Sequence, residues 1–272
     1  MFLKVYFVIF IVGIIAASFV STAGASPSLA IPTMTITEDG TVIENQVINT
    51  NIVVKAHDVT IRRCIITTNQ MYGIKNHGWV DNEPISKNLL VENCIITGPT
   101  SAGIYGQYIT IKGCTIYDLG ADAIKVSREA VVKNNHCHHL GKKPGAHADC
   151  LQIRGGENFV IEDNWFDIPI ADTLGNDYKS NACLMIGSDV GEITTISIRN
   201  NYMEGGNYTV YLRDSGNGYG SPVNVRMHGN TFGTDYNFGP LSIDYNSTIS
   251  IDNNLWTDGS FMDINYWDGD NK

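Results

Sequence analysis

DAIKVSREAVVKNNHCHHLGKKPGAHADCLQIRGGENFVIEDNWF, residues 122–166, holds one short pattern twice. A small-plus-apolar strand (DAIKV, DCLQI) leads into a few turn residues, and a second strand (AVVKNN, FVIEDN) ends in asparagine. Between the copies lies a loop rich in His and Lys. Working outward, the pattern apolar, any, any, Cys or Asn, any, apolar recurs. Its copies are IRRCII (61–66), VENCII (91–96), IKGCTI (111–116), VKNNHC (132–137), IEDNWF (161–166), IRNNYM (198–203), MHGNTF (227–232) and IDNNLW (251–256). The fourth position runs Cys64, Cys94, Cys114, Asn135, Asn164, Asn201, Asn230, Asn254, at intervals of 20 to 37 residues. The shortest intervals are bare coils and the longer ones carry insertions. One such unit cannot bury its apolar face alone, whereas a stack buries a continuous column. The spacing therefore predicts an all-β solenoid, a single-stranded parallel β-helix of about eight rungs.

Within each segment the apolar period is two, which excludes helices. Two residues past the ladder the chain reads Ile66, Ile96, Ile116, Cys137, Phe166, Met203, Phe232, Trp256, an apolar and inward column. A ladder Asn can bond backbone groups and the amides above and below it. A ladder Cys fills space as a small apolar side chain. Upstream of each ladder lies another strand: GIKNH (73–77), GIYGQ (103–107), AIKVS (123–127), CLQIR (150–154), CLMIG (183–187), VYLRD (210–214) and PLSID (240–244). Alternation turns Lys75, Tyr105, Lys125, Gln152 and Met185 outward, followed by Tyr211 and Ser242 if the last two strands shift by one residue. His77, Gln107, Ser127 and Arg154 face outward two residues later. Insertions at 76–88, 140–148 and 167–181 lengthen three turns, in the position where loops wall a groove.

The totals bound the function. With 272 residues the chain is long enough for one repeat array. A net charge of −10 argues against nucleic acid as partner. Lys4, the apolar run 5–20 and the small residues at 21–25 read as a cleavable signal peptide, residues 1–25. The expected product is one secreted domain, residues 26–272, monomeric and not held at a membrane. Stacked cysteines point the same way, so the six are expected to be mostly free and buried in spite of export. A bridge between Cys150 and Cys183 stays open. Asn207 and Asn246 begin glycosylation sequons.

The Asn/Cys ladder, the coil length and runs such as NFVIEDNWF resemble right-handed parallel β-helix proteins of the pectate-lyase-like superfamily, over residues 38–262. The segment IRGGENFVIEDNWF (153–166) is similar to one in alginate and chondroitin lyases of that fold, which place an Arg ten residues before the ladder Asn, as Arg154 stands before Asn164. Those lyases also carry a Lys on the preceding rung, for which Lys125 is the nearest counterpart, about one position out of register. Their acidic calcium cluster has no clear equivalent here. The resemblance implies a polysaccharide lyase acting on an alginate- or pectate-like polymer. Because this fold carries many activities, a C5-epimerase, a glycoside hydrolase and a non-catalytic glycan-binding surface protein stand as alternatives.

Uronate β-elimination needs a group to neutralise the carboxylate, a base for the C5 proton and an acid for the leaving oxygen. Arg154 suits the first role, Lys125 or His147 the second and Tyr105 the third, with Asp149 entering the same strand as His147. Asp122 and Asp149 occupy matching positions before their strands. They are read as turn caps, as calcium ligands if that cofactor is used, or as catalytic carboxyls; paired across a groove they would suit a hydrolase. Between 125 and 154, Lys125, Arg128, Lys133, Lys142, Lys143 and Arg154 face only Glu129 and Asp149, a basic island that suits a polyanionic glycan. Lys75, Gln152, Arg128, Lys142, Lys143, His138 and Arg213 are the expected substrate contacts. His136, His138, His139 and His147 cluster in sequence without a zinc-site spacing.

Overall fold

The structure is a computed structural model that describes residues 32–168, 180–244 and 248–262. The signal peptide, most of the 167–181 insertion and Asn246 lie outside the described residues. The unit beginning at Pro32 is built from three nine-stranded parallel sheets, visited in turn by the chain. Sheet A runs from Met34–Ile36 to Gly239–Ile243, sheet B from Val42–Glu44 to Ile249–Asp252, and sheet C from Val47–Ile48 to Leu255–Trp256. This is the expected parallel β-helix, with nine rungs rather than eight. The additional rung comes first, where Gln46 stands at the ladder position and the Cys/Asn pattern does not reach.

The ladder forms the bend from sheet B to sheet C. In each rung the residue before it has positive φ: Asn45, Arg63, Asn93, Gly113, Asn134, Asp163, Asn200, Gly229 and Asn253. Asn, Asp and Gly tolerate that conformation, and their recurrence is the local reason for the sharp turn. From Asn135 to Asn230 each side-chain amide donates to the next ladder Oδ1, at 2.9–3.0 Å. It also donates to a carbonyl of the previous rung, as in Asn135 to Ile111 O at 3.0 Å. Each Oδ1 in turn accepts the backbone N–H of the residue below. The ladder cysteines keep one part of this scheme. Cys114 Sγ donates to Val91 O at 3.7 Å and Cys94 Sγ to Ile61 O at 3.6 Å, the carbonyls equivalent to those the asparagines use. All six cysteines are free and buried, Cys150 and Cys183 included.

The core is a set of aligned inward columns. Ile74, Ile104, Ile124, Leu151, Leu184, Val210 and Leu241 are register partners in sheet A. The predicted column from Ile66 to Phe232 is buried in sheet C, and Trp256 closes it partly buried. The outer face of sheet B pairs with itself. Glu44, Arg62, Glu92, Lys112, Lys133, Glu162 and Arg199 follow one another in register and form ion pairs along the column. Sheets A and C therefore carry the faces with chemistry left to use.

Candidate functional site

The outer row of sheet A is the predicted one. Lys75, Tyr105, Lys125, Gln152, Met185, Tyr211 and Ser242 are successive register partners, the last two on the shifted phase. Neighbours stand about 4.8 Å apart, the strand spacing. A cleft of about 210 Å³ lies over this row, lined by Tyr72, His77, Tyr105, Lys125, Gln152 and Arg154 among others. Through His77, Ser127, Gly155 and Val190 it shares walls with a second cleft of about 460 Å³ at the bend from sheet A to sheet B, bordered by Trp79, Arg128 and Tyr219.

Local chemistry fixes these walls. The insertion after Lys75 carries a short hairpin, Trp79–Val80 with Glu83–Pro84. Its root is tied down by buried Asn76, which donates to Gln107 O at 2.8 Å and accepts Gln107 N at 3.1 Å. The Gln107 side chain donates back to Gly78 O at 2.9 Å. Across the cleft Gly156 has φ +111°, and a Cβ there would sit 1.5 Å from Ser127 O, so only glycine lets the two rungs approach. The Ser127 hydroxyl, on both cleft walls, is buried without a hydrogen-bond partner. An unmet hydroxyl on a cleft wall is a group that a ligand can satisfy.

At the centre, His77 stacks on Tyr105 with ring centroids 4.4 Å apart, and Tyr72 leans on the same ring at 5.2 Å. Burial, helped by Lys75, holds the His77 imidazole below the ordinary histidine range, so it is neutral at neutral pH. Burial pushes the Tyr105 phenol up, with Tyr72 adding to it and Arg154 opposing, so Tyr105 keeps its proton. Lys75 Nζ stands 6.0 Å from the Tyr105 ring centre and has no ion pair among the described residues. On the other side Lys125 Nζ meets Asp122 Oδ2 at 2.6 Å.

Behind this row runs a second polar ladder. Asn237 donates to Asn207 Oδ1, Asn207 to Asn181 Oδ1, and Asn181 to Asp149 Oδ1 at 2.9 Å. Asp149 N donates to Asp122 Oδ1 at 2.8 Å and Gln152 Nε2 to Asp149 Oδ2 at 3.2 Å. Both carboxyls are buried. Burial and the neighbouring Asp122 drive the Asp149 carboxyl well above the carboxylate range, while burial raises Asp122 against the pull of Lys125. Both residues lie within their strands, at Asp122–Val126 and Ala148–Ile153, where each carboxyl oxygen meets a donor: Asp149 N and Lys125 at Asp122, Asn181 and Gln152 at Asp149.

The expected site residues separate in space. Lys75, Tyr105, Lys125, Gln152 and Arg154 come together. Arg154 is bonded to Asp189 through Nε at 2.6 Å and again through its terminal nitrogen, so its charge is met within the chain. Arg128 borders the larger cleft between Glu157 at 3.5 Å and the Trp79 ring. His147, Lys142 and Lys143 are exposed on the loop before Ala148–Ile153, with Lys142 paired to Asp118. Arg213 lies over the Tyr211 ring, 5.7 Å from its centre. His138 projects from sheet C, stacked on Tyr117, and not into the cleft.

The basic island is corrected by the same geometry. Lys125, Arg128, Lys133, Lys142 and Arg154 each pair with Asp122, Glu157, Glu162, Asp118 or Asp189, acids from outside the segment or from the next rung. Sequence reasoning gave no role to His77, Trp79 or Tyr219. His77 carried a signal, since alternation placed it outward in the row of Arg154. Trp79 and Tyr219 sit on insertions where no periodicity applies.

The family described as right handed beta helix region matches residues 34–179, more than half of the chain. No curated protein matches the sequence. Solved structures similar to this chain include an alginate lyase from Paenibacillus sp. str. FPU-7, at 14% identity and TM-score 0.47, covering 81% of this chain and 96% of that one. The Streptococcus pneumoniae surface protein and adhesin PfbA is similar at 12% identity and TM-score 0.46, covering 76% and 66%. An exopolygalacturonase from Thermotoga maritima is similar at 15% identity and TM-score 0.45, covering 77% and 55%.

Proposed function

The chain belongs to the right-handed β-helix family, and on that scaffold we propose a secreted polysaccharide-active enzyme that cleaves a uronate-bearing polymer by β-elimination in the cleft over sheet A. The observation that carries this reading is the neutral His77 stacked on protonated Tyr105, with Lys75 and Lys125 flanking the phenol along the row. His77 takes the C5 proton, the C4–O4 bond breaks as a C4–C5 double bond forms, and Tyr105 gives its proton to the departing oxygen. Lys75 and Lys125 face the substrate carboxylate and favour the charge that develops on it. These roles differ from the first expectation, in which Lys125 or His147 was the base. Lys125 Nζ is engaged by the buried Asp122 carboxyl at 2.6 Å, a partner that ties up the nitrogen a base would use, so it suits electrostatic support instead.

The test is absorbance of unsaturated uronate from the mature protein on alginate, pectate and chondroitin, each with calcium and with chelator. The proposal expects a rising signal on one polymer and a loss of about 10²–10⁴-fold in His77→Ala and Tyr105→Phe. Equal rates in all three proteins would overturn it. A second reading, a glycan-binding protein without turnover, is favoured by the internal pairing of Arg154 and Arg128. Retarded migration on one polymer with no product would select it.

A further inference from the structure

Sheet C presents a different face. Its outward column reads Val47, Ile65, Ile95, Thr115, His136, Trp165, Tyr202, Thr231 and Leu255, with no charged side chain. Val47, Ile65, Ile95 and Trp165 are exposed, Trp165 at 55%. The middle of the column is aromatic. His136 and Trp165 have ring centroids 5.5 Å apart, and Trp165 and Tyr202 5.4 Å. Beside it runs a second column, Tyr117, His138, Asp167 and Glu204, again register partners. Tyr117 and His138 stack at 5.1 Å and 9°. Tyr202 donates to Glu204 Oε2 at 2.5 Å, and Gly233 leaves room for Glu204, since a Cβ there would sit 2.3 Å from its carboxyl carbon. Neither Asp167 nor Glu204 has a cationic partner among the described residues, unlike the acids of sheet B.

We infer that this face is a second glycan-binding platform, distinct from the sheet A cleft, and that it takes an uncharged polysaccharide lying along the solenoid axis. Trp165 is exposed between half-buried His136 and Tyr202, whose rings tilt from it by 40° and 63°. The strand repeat of about 4.8 Å that spaces them matches the length of a sugar residue, whose C–H faces can pack on the indole. The flanking carboxylates accept hydroxyl hydrogen bonds, which are stronger for an ionised acceptor. The same unpaired negative charge repels a polyanion, and that separates this face from the lysine-bearing row of sheet A. Burial and the neighbouring His136 and His139 hold His138 down at about 4, so the imidazole adds no compensating cation at neutral pH. Exposed apolar side chains gathered on one face, here Val47, Ile65, Ile95 and Trp165, mark interaction sites.

The test uses the full mature chain with cellohexaose, mannohexaose and N-acetylchitohexaose as neutral probes and oligoalginate as the anionic one. The readouts are tryptophan fluorescence and calorimetry. At least one neutral probe is expected to bind, with affinity reduced 10-fold or more by Trp165→Ala and several-fold by Glu204→Gln, while turnover or binding of the anionic polymer is unchanged. Trp165 is largely exposed, so its removal leaves the core intact, and an unchanged thermal midpoint checks this. No response to any neutral probe, or binding that Trp165→Ala leaves as it was, overturns the inference. Because the anionic probe reports on sheet A alone, failure of this platform and failure of the elimination reading are separable.

Discussion

Replacing Asn201 tests the ladder where its bonds are best defined. Asn201 is buried, donates to Ile161 O and Asn230 Oδ1 at 2.9 Å each, and accepts Asn164 N at 3.0 Å and Asn164 Nδ2 at 2.9 Å. Asn201→Ala leaves two backbone groups, Ile161 C=O and Asn164 N–H, without these partners inside the stack. At about 1–3 kcal/mol for each orphaned group, the loss is about 2–6 kcal/mol. Asn201→Cys is the informative comparison, because Cys64, Cys94 and Cys114 occupy this position in earlier rungs. A thiol restores a donor to Ile161 O but offers Asn164 N–H little, so about half of the loss should remain, roughly 1–3 kcal/mol. Urea midpoints at constant slope, followed by circular dichroism, give the order Asn, Cys, Ala directly. A cysteine variant as stable as wild type, or an alanine variant within about 0.5 kcal/mol of it, would refute the view that the ladder works by satisfying buried backbone groups.

Three further outcomes follow from the site. Asp149→Asn should stabilise the protein at neutral pH: the folded pKa is raised above the unfolded one, so the wild-type group costs stability as pH rises above about 3.9, increasingly up to its folded value. Asparagine removes that cost of about 1.4 kcal/mol per pKa unit, and thermal midpoints from pH 4 to 8 should show a flatter profile for the variant than for wild type. The acid limb of kcat/KM should lie below about pH 6.5, because His77 must be neutral and is held low, and any alkaline limb from Tyr105 should lie above about pH 10. Asp189→Asn should free Arg154 and tighten binding of an anionic polymer a few-fold, with a steeper salt dependence, in line with about 1 kcal/mol for an exposed pair; unchanged retention on an anionic matrix would count against Arg154 facing substrate.

The fold was legible because its determinants repeat. The ladder, the apolar columns and even the phase shift that turns Tyr211 and Ser242 outward follow from alternation along single strands. The first rung was hidden by Gln46, which breaks the pattern but not the turn, since Asn45 still supplies the positive φ. The site was legible in its row and not in its electrostatics. In a solenoid the partner of a charge stands one rung away, so Lys133 meets Glu162 and Arg154 meets Asp189 at sequence separations of 29 and 35. A window count of charges therefore reported a basic island that the stack neutralises. His138 was assigned to the same surface as Lys125 by proximity in sequence, although the chain passes through another sheet between them.

The central claim is that the sheet A cleft breaks its polymer by elimination with His77 and Tyr105. The most direct measurement is digestion of the responsive uronate polymer in water labelled with heavy oxygen, with the products read by mass spectrometry and absorbance. The account predicts new ends that absorb as unsaturated uronates and carry no label, and no such ends with His77→Ala. Labelled, non-absorbing ends would identify hydrolysis, and an intact polymer would leave binding without cleavage; either contradicts the account.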